Sequence, residues 1–115
     1  ITDQPERLII SDIIREKILL STRDEVPHSI AVDVDEMKTR NDGTTYVRAT
    51  IYCERDSQKG IIIGKRGSLL KELGAQARAD IQKLLATKVY LDLWVKVKKD
   101  WRNKSGVLSE LGYKN

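Results

Sequence analysis

Residues 60–68 read Gly60-Ile61-Ile62-Ile63-Gly64-Lys65-Arg66-Gly67-Ser68, and the parsing of this run decides the fold. Asp56-Ser57 reads as the cap of a short helix through Gln58, Lys59 and the three isoleucines, which Gly64-Lys65-Arg66-Gly67 then breaks. A long helix starts near Ser68 and runs to about Ala86. Leu70, Leu73, Ala77, Ile81 and Leu84 fall on one stripe of it, and Lys71, Ala75, Arg78 and Gln82 line a flank. Glycines at both ends of the loop permit a tight turn and let the main chain approach a phosphate with no Cβ in the way. The helix that follows presents unpaired N–H groups and the positive end of its dipole. Lys65 and Arg66 at the turn add two cations suited to phosphate oxygens.

The same run invites a second reading as a nucleotide-binding P-loop, which its spacing defeats. Three residues separate Gly60 from Gly64 where that loop has four, and Arg66 follows Lys65 where a Mg²⁺-binding Ser or Thr is required. Three bulky isoleucines are also wrong for a phosphate cradle.

Outward from the loop, Val89, Leu91, Leu93, Val95 and Val97 alternate with Tyr90, Asp92, Trp94, Lys96 and Lys98, a regular strand pattern. Upstream, Ile30, Val32 and Val34 alternate with Ala31, Asp33 and Asp35, and Val47, Ala49, Ile51 and Cys53 form the next alternating run. Asn41-Asp42-Gly43 supplies a turn between them. Asp33 and Asp35 share an outer face, but no His or third acid recurs at ligand spacing, so a solvated strand face outweighs a metal or acid–base pair. At the start, Asp3, Pro5 and Glu6 read as a helix cap, followed by a helix to about Thr22 whose inner side carries Ile9, Ile10, Ile13, Ile14 and Leu20; Pro27 blocks its continuation. The order is helix, strand, strand, short helix, glycine loop, long helix, strand.

Composition bounds the function. A chain of 115 residues, 40% apolar and 33% charged, fits one water-soluble domain. No apolar run approaches the ~20 residues of a bilayer-spanning helix, and no secretory signal pattern opens the chain, which points to a cytoplasmic setting. The lone Cys53 excludes an internal disulfide and a multi-cysteine zinc site, and reads as a buried core thiol. The only histidine, His28, has no nucleophile that the sequence ties to it. Residues 1–57 hold eight Lys and Arg against twelve Asp and Glu, whereas residues 58–115 hold thirteen against five. The second half is therefore the half that faces anions, a nucleic acid or a merely solvated basic face.

The pattern Ile62-Ile63-Gly64-Lys65-Arg66-Gly67, set between a short and a long helix and followed by a strand, resembles the signature of KH domains. In that family the loop clamps about four nucleotides of a single-stranded backbone, and bases lie in an aliphatic groove. The element order resembles the type II arrangement. The resemblance implies an α+β fold: a three-stranded mixed sheet with three helices packed on one face, plus a C-terminal helical tail. It implies a single KH-type RNA-binding domain over 1–115, with strands, glycine loop and helices in 28–98 and a basic tail in 99–115. Ile14-Arg15-Glu16-Lys17, Glu25-Val26-Pro27-His28-Ser29 and Leu93-Trp94-Val95-Lys96-Val97-Lys98-Lys99-Asp100-Trp101-Arg102-Asn103-Lys104 extend the likeness over essentially the whole chain, to the C-terminal domain of the Era family of bacterial GTPases.

That likeness implies binding to the 3′ end of small-subunit ribosomal RNA during ribosome assembly, with Gly64, Lys65, Arg66, Gly67, Ser68, Lys59 and Lys71 on the backbone. Ile61, Ile62 and Ile63 would shape the base groove, at least one of them belonging to the core. Arg78, Lys98, Lys99 and Arg102 are candidate secondary contacts. Trp101, Leu108 and Leu111 would anchor a final helix. The partners implied are single-stranded ribosomal RNA, the small ribosomal subunit and an N-terminal GTPase domain, with no DNA; membrane association belongs to the family but has no lipid-binding motif here. The chain itself is expected to be no enzyme and to need no metal or cofactor, GTP and magnesium belonging to the GTPase domain. The competing class is a protein-interaction domain that docks on ribosomal proteins or on that GTPase domain. Tyr90 and Trp94 share a strand face with Lys96 and Lys98, which reads either as a base-stacking platform or as cover for the sheet.

Overall fold

The computed structural model describes residues 4–23, 26 and 30–99. The elements are α1 (Gln4–Thr22), β1 (Ile30–Thr39), β2 (Thr45–Cys53), α2 (Asp56–Ile63), a single 3₁₀ turn (Lys65–Gly67), α3 (Ser68–Leu85) and β3 (Val89–Val97). The α+β class and the three-stranded mixed sheet are as the sequence indicates. The sheet order is β1-β2-β3, with β1 antiparallel and β3 parallel to β2. The Asp3 cap, His28 and the helical tail fall outside the described residues.

One face of the sheet carries Val32, Val34, Val47, Ala49, Ile51 and Cys53, which share a core with Ile10, Ile14 and Ile18 of α1, Ile62 of α2, and Leu73, Ala77 and Ile81 of α3. All the described helices therefore cover that face, and none of them lies on the other. The inner stripe of α1 differs from the expected one: Ile10, Ile14 and Ile18 are buried, whereas Ile9 is 45% and Leu20 69% exposed. The stripe follows a strict four-residue step, and Ile9 and Leu20 lie beyond its edges. On α3, Leu84 likewise turns outward.

Four local devices set the frame. The N-cap of α2 is the extended Arg55 rather than Asp56 or Ser57, and the capping side chain is that of Gln58, whose Oε1 accepts from the N–H groups of Glu54 (2.9 Å) and Arg55 (3.0 Å). A bulge between Val34 and Glu36 shifts the β1 register, so Met37 meets Val47 while Glu36 meets Arg48, and the simple alternation ends at Val34. The β1–β2 turn closes through Gly43 at φ +88°, with Thr44 N–H on Asp42 Oδ1 at 2.9 Å. Lys17 Nζ meets Asp80 Oδ2 at 2.8 Å and clips α1 to α3. Among the described residues no helix is long and apolar enough to cross a membrane.

Candidate nucleic-acid interface

The glycine loop is built on three positive-φ residues, Gly64, Arg66 and Gly67. Gly64 ends α2 at φ 75°, ψ 179°, its N–H on Gly60 O at 2.9 Å, and a Cβ there would lie 2.6 Å from Leu69 Cβ and 2.9 Å from Leu69 N. Only glycine fits, for both conformation and space. Arg66 (φ 57°) and Gly67 (φ 77°) follow in left-handed conformation, and Gly67 N–H returns to Gly64 O at 3.1 Å. The turn lifts Lys65 and Arg66 outward, both exposed, directly before the first turn of α3, whose leading N–H groups have no partner within the helix. Gly60 to Ile63 are helical, which removes the P-loop reading on geometry as well as spacing.

Beside this loop lies an open groove of about 450 Å³, lined by Gly67, Leu70, Lys71, Gly74, Ala75, Arg78, Tyr90, Leu91 and Leu93. One wall is α3 and the other is the edge of β3 that no described strand pairs with. Small residues make the groove: at Gly74 a Cβ would already touch Leu93 Cδ1 at 3.4 Å, so the helix sits close to the strand there, and Ala75 adds little bulk beside it. The far end of the sheet, at the β1–β2 turn, holds a second concavity formed by Glu36, Lys38, Thr39, Arg40, Asn41, Asp42 and Tyr46. The Asp42 carboxyl is held below the usual carboxylate range, first by the Thr44 N–H it accepts and then by the Thr44 side chain.

The residues singled out in the sequence divide by location. Gly67, Lys71 and Arg78 line the groove, whereas Gly64, Lys65, Arg66 and Ser68 are neighbours of Gly67 in the chain and do not line it. Lys59 is half-buried on α2, one turn before the loop. Ile62 is fully buried in the core and cannot form groove wall, while Ile61 and Ile63 are partly exposed. Lys98 and Lys99 lie elsewhere: Lys98 Nζ stands 5.8 Å from the ring of Tyr52, and Lys99 borders a hollow with Arg55 and Asp56 at the start of α2. Arg102 is outside the described residues. Leu70, Gly74, Leu91 and Leu93 are lining residues that the sequence did not mark as site residues, and Tyr90, marked only as part of a possible stacking face with Trp94, also lines the groove. Gly74 was the available signal, since a glycine inside an otherwise strong helix pattern costs about 1 kcal/mol against Ala and suggests a close backbone approach. Among the described residues no three His, Cys, Asp or Glu side chains are grouped to hold a metal ion.

A family model for the KH domain matches residues 25–102. The chain belongs to the KH domain family. It is 56% identical over 114 residues to GTPase Era of Ruminiclostridium cellulolyticum, covering 99% of this chain and 38% of that protein. To GTPase Era of Staphylococcus haemolyticus it is 59% identical over 113 residues, covering 98% of the chain and 38% of the relative. Two solved structures have the same fold at 42% sequence identity, each covering 98% of this chain and 38% of its own. One is Aquifex aeolicus Era, as a variant bound to GDP and AlF4⁻, with a TM-score of 0.90. The other is Era in complex with MgGDPNP and nucleotides 1506–1542 of 16S ribosomal RNA, with a TM-score of 0.91. The chain thus spans a little over a third of the relatives it matches, and the part matched is their KH domain rather than their GTPase domain.

Proposed function

We propose that this KH domain binds single-stranded RNA, with Gly64 to Gly67 holding the backbone and the α3–β3 groove receiving the bases. The observation that carries the reading is continuity: the tight, cationic loop opens into a groove whose walls pair apolar Leu70, Leu91 and Leu93 with the cations Lys71 and Arg78. Phosphate positioning and base contact then fall to adjacent surfaces, as single-strand readers require. Ile61 and Ile63, partly exposed beside the loop, extend the apolar wall, and Lys59 adds charge.

The likeness to Era bound to a 16S ribosomal RNA segment supports the 3′ end of small-subunit ribosomal RNA as the ligand. The chain is then the RNA-binding part of an Era-like GTPase acting on the small subunit in the cytoplasm. Its partners are that RNA and its own GTPase domain, and any GTP and magnesium belong to the latter.

The test is a salt-controlled titration with a labelled single strand matching that 3′ end, beside a scrambled strand. A variant carrying Lys65→Asp and Arg66→Asp runs in parallel, its fold checked by circular dichroism. The parent should prefer the ribosomal strand and weaken with salt by a log-log slope of roughly 0.7 per phosphate neutralised. The folded variant should lose the binding. Equal binding by parent and variant, or none by the parent, overturns the reading in favour of protein docking.

A further inference from the structure

The sheet face opposite the described helices carries a pattern of which the groove uses only Tyr90. Pairing of β2 with β3 sets Tyr46 beside Tyr90, Thr50 beside Trp94 and Tyr52 beside Lys96. The Tyr46 and Tyr90 rings stack, with centroids 5.9 Å apart and planes 20° from parallel. The Arg40 guanidinium lies 4.8 Å from one centroid and 5.2 Å from the other. Arg48 lies 5.1 Å over Trp94, and Lys98 Nζ 5.8 Å from Tyr52. Each of the four described aromatic rings therefore has a cation against it.

Acids on this face are already engaged. Asp92 Oδ2 accepts the Tyr46 hydroxyl at 2.8 Å, Asp35 accepts Thr50 Oγ1, and Glu36 lies 4.0 Å from Lys38 Nζ. Toward β3 the face presents Tyr90, 54% exposed, Trp94, 48% exposed, and Lys96, with no Leu, Ile, Val or Met among the residues pointing this way on β2 and β3. That composition suits stacked bases and phosphates better than a protein partner, whose interface core is apolar and poor in charge. Tyr90 makes the face continuous with the groove, because it both lines the groove and belongs to the stack. Trp94 follows four residues along β3, about 13 Å away at the usual strand rise.

We propose that this face, which no described helix covers, is a second single-stranded RNA surface: a strand leaving the groove past Tyr90 stacks bases on Tyr90 and Trp94, while Arg40, Lys96 and Lys98 take its phosphates. The inference rests on the groove reading above. It makes affinity grow with RNA length beyond the roughly four nucleotides a KH loop holds.

The test uses the 115-residue chain with Trp101→Phe, so that Trp94 is the sole tryptophan, and two strands sharing one core: about four nucleotides and one several times longer. The long strand should bind more tightly and quench Trp94 fluorescence, and the short one should not quench it. Trp94→Ala, and separately Lys96→Glu, should weaken the long strand about tenfold and leave the short strand unchanged. If both strands bind alike and Trp94 emission does not move, the second surface is overturned while the groove reading stands. If neither strand binds the parent, the groove reading fails and this inference fails with it.

Discussion

Gly64→Ala tests whether the glycine loop is built as described. At φ 75°, ψ 179° the backbone occupies a region that is essentially closed to residues with a side chain, at a cost of about 1–3 kcal/mol. The added methyl would also lie 2.6 Å from Leu69 Cβ and 2.9 Å from Leu69 N, where backbone must move; overpacking of that kind costs about 1–3 kcal/mol more. The sum is roughly 2–6 kcal/mol. Gly67 is the internal control: its φ is positive as well, in the left-handed region at φ 77°, ψ 10°, but nothing lies within 4 Å of a Cβ there. Gly67→Ala should therefore cost only about 1–2 kcal/mol, the left-handed penalty alone. Urea denaturation followed by circular dichroism separates the two. With an m-value of about 2 kcal/mol/M, a loss of about 4 kcal/mol lowers the midpoint by about 2 M. If Gly64→Ala costs no more than Gly67→Ala, the close packing of the loop against Leu69 is wrong.

Other outcomes follow from the same geometry. Ile62→Ala, in the core at 0% exposure, should cost about 2–5 kcal/mol in urea denaturation, and Ile61→Ala and Ile63→Ala clearly less. Hydrogen bonding to Lys17 holds the Asp80 carboxyl below its ordinary range, and hydrogen bonding to Asp80 raises Lys17. The Asp80 contribution is thus present above the ordinary carboxylate range and lost as pH falls through the depressed value. The Lys17 contribution is present below the ordinary lysine range and lost as pH rises through the raised one. Asp80→Asn should lower the urea midpoint slightly near neutral pH, and the gap should close at both extremes. Burial pushes the Cys53 thiol up, so labelling by a thiol reagent should be slow in the folded chain and track unfolding as urea is added.

The sequence made the element order readable because each signal was local. The alternation at Val89 to Val97, the stripe Leu73, Ala77 and Ile81, and glycines at 64 and 67 each follow from a few neighbouring residues. The loop half of the site was legible for the same reason. The groove half was not, because Leu70, Tyr90, Leu91 and Leu93 come together only through the parallel placement of β3 beside β2 and the close seat of α3 at Gly74. The bulge after Val34 was hidden too, since a one-residue insertion in the ladder changes no residue type. Ile62 went to the core rather than the groove because its helical phase, not its hydrophobicity, decides which way it points.

The most direct test of RNA binding in the groove is amide chemical-shift mapping of the ¹⁵N-labelled chain as a short single strand matching the 3′ end of small-subunit ribosomal RNA is added. The largest shifts should fall on Gly64 to Ser68, Lys71, Gly74, Ala75 and Tyr90, with the exposed side of α1 around Asp12 and Glu16 unmoved. Shifts centred on α1, or on the hollow beside Arg55 and Lys99 with the glycine loop silent, would contradict the account.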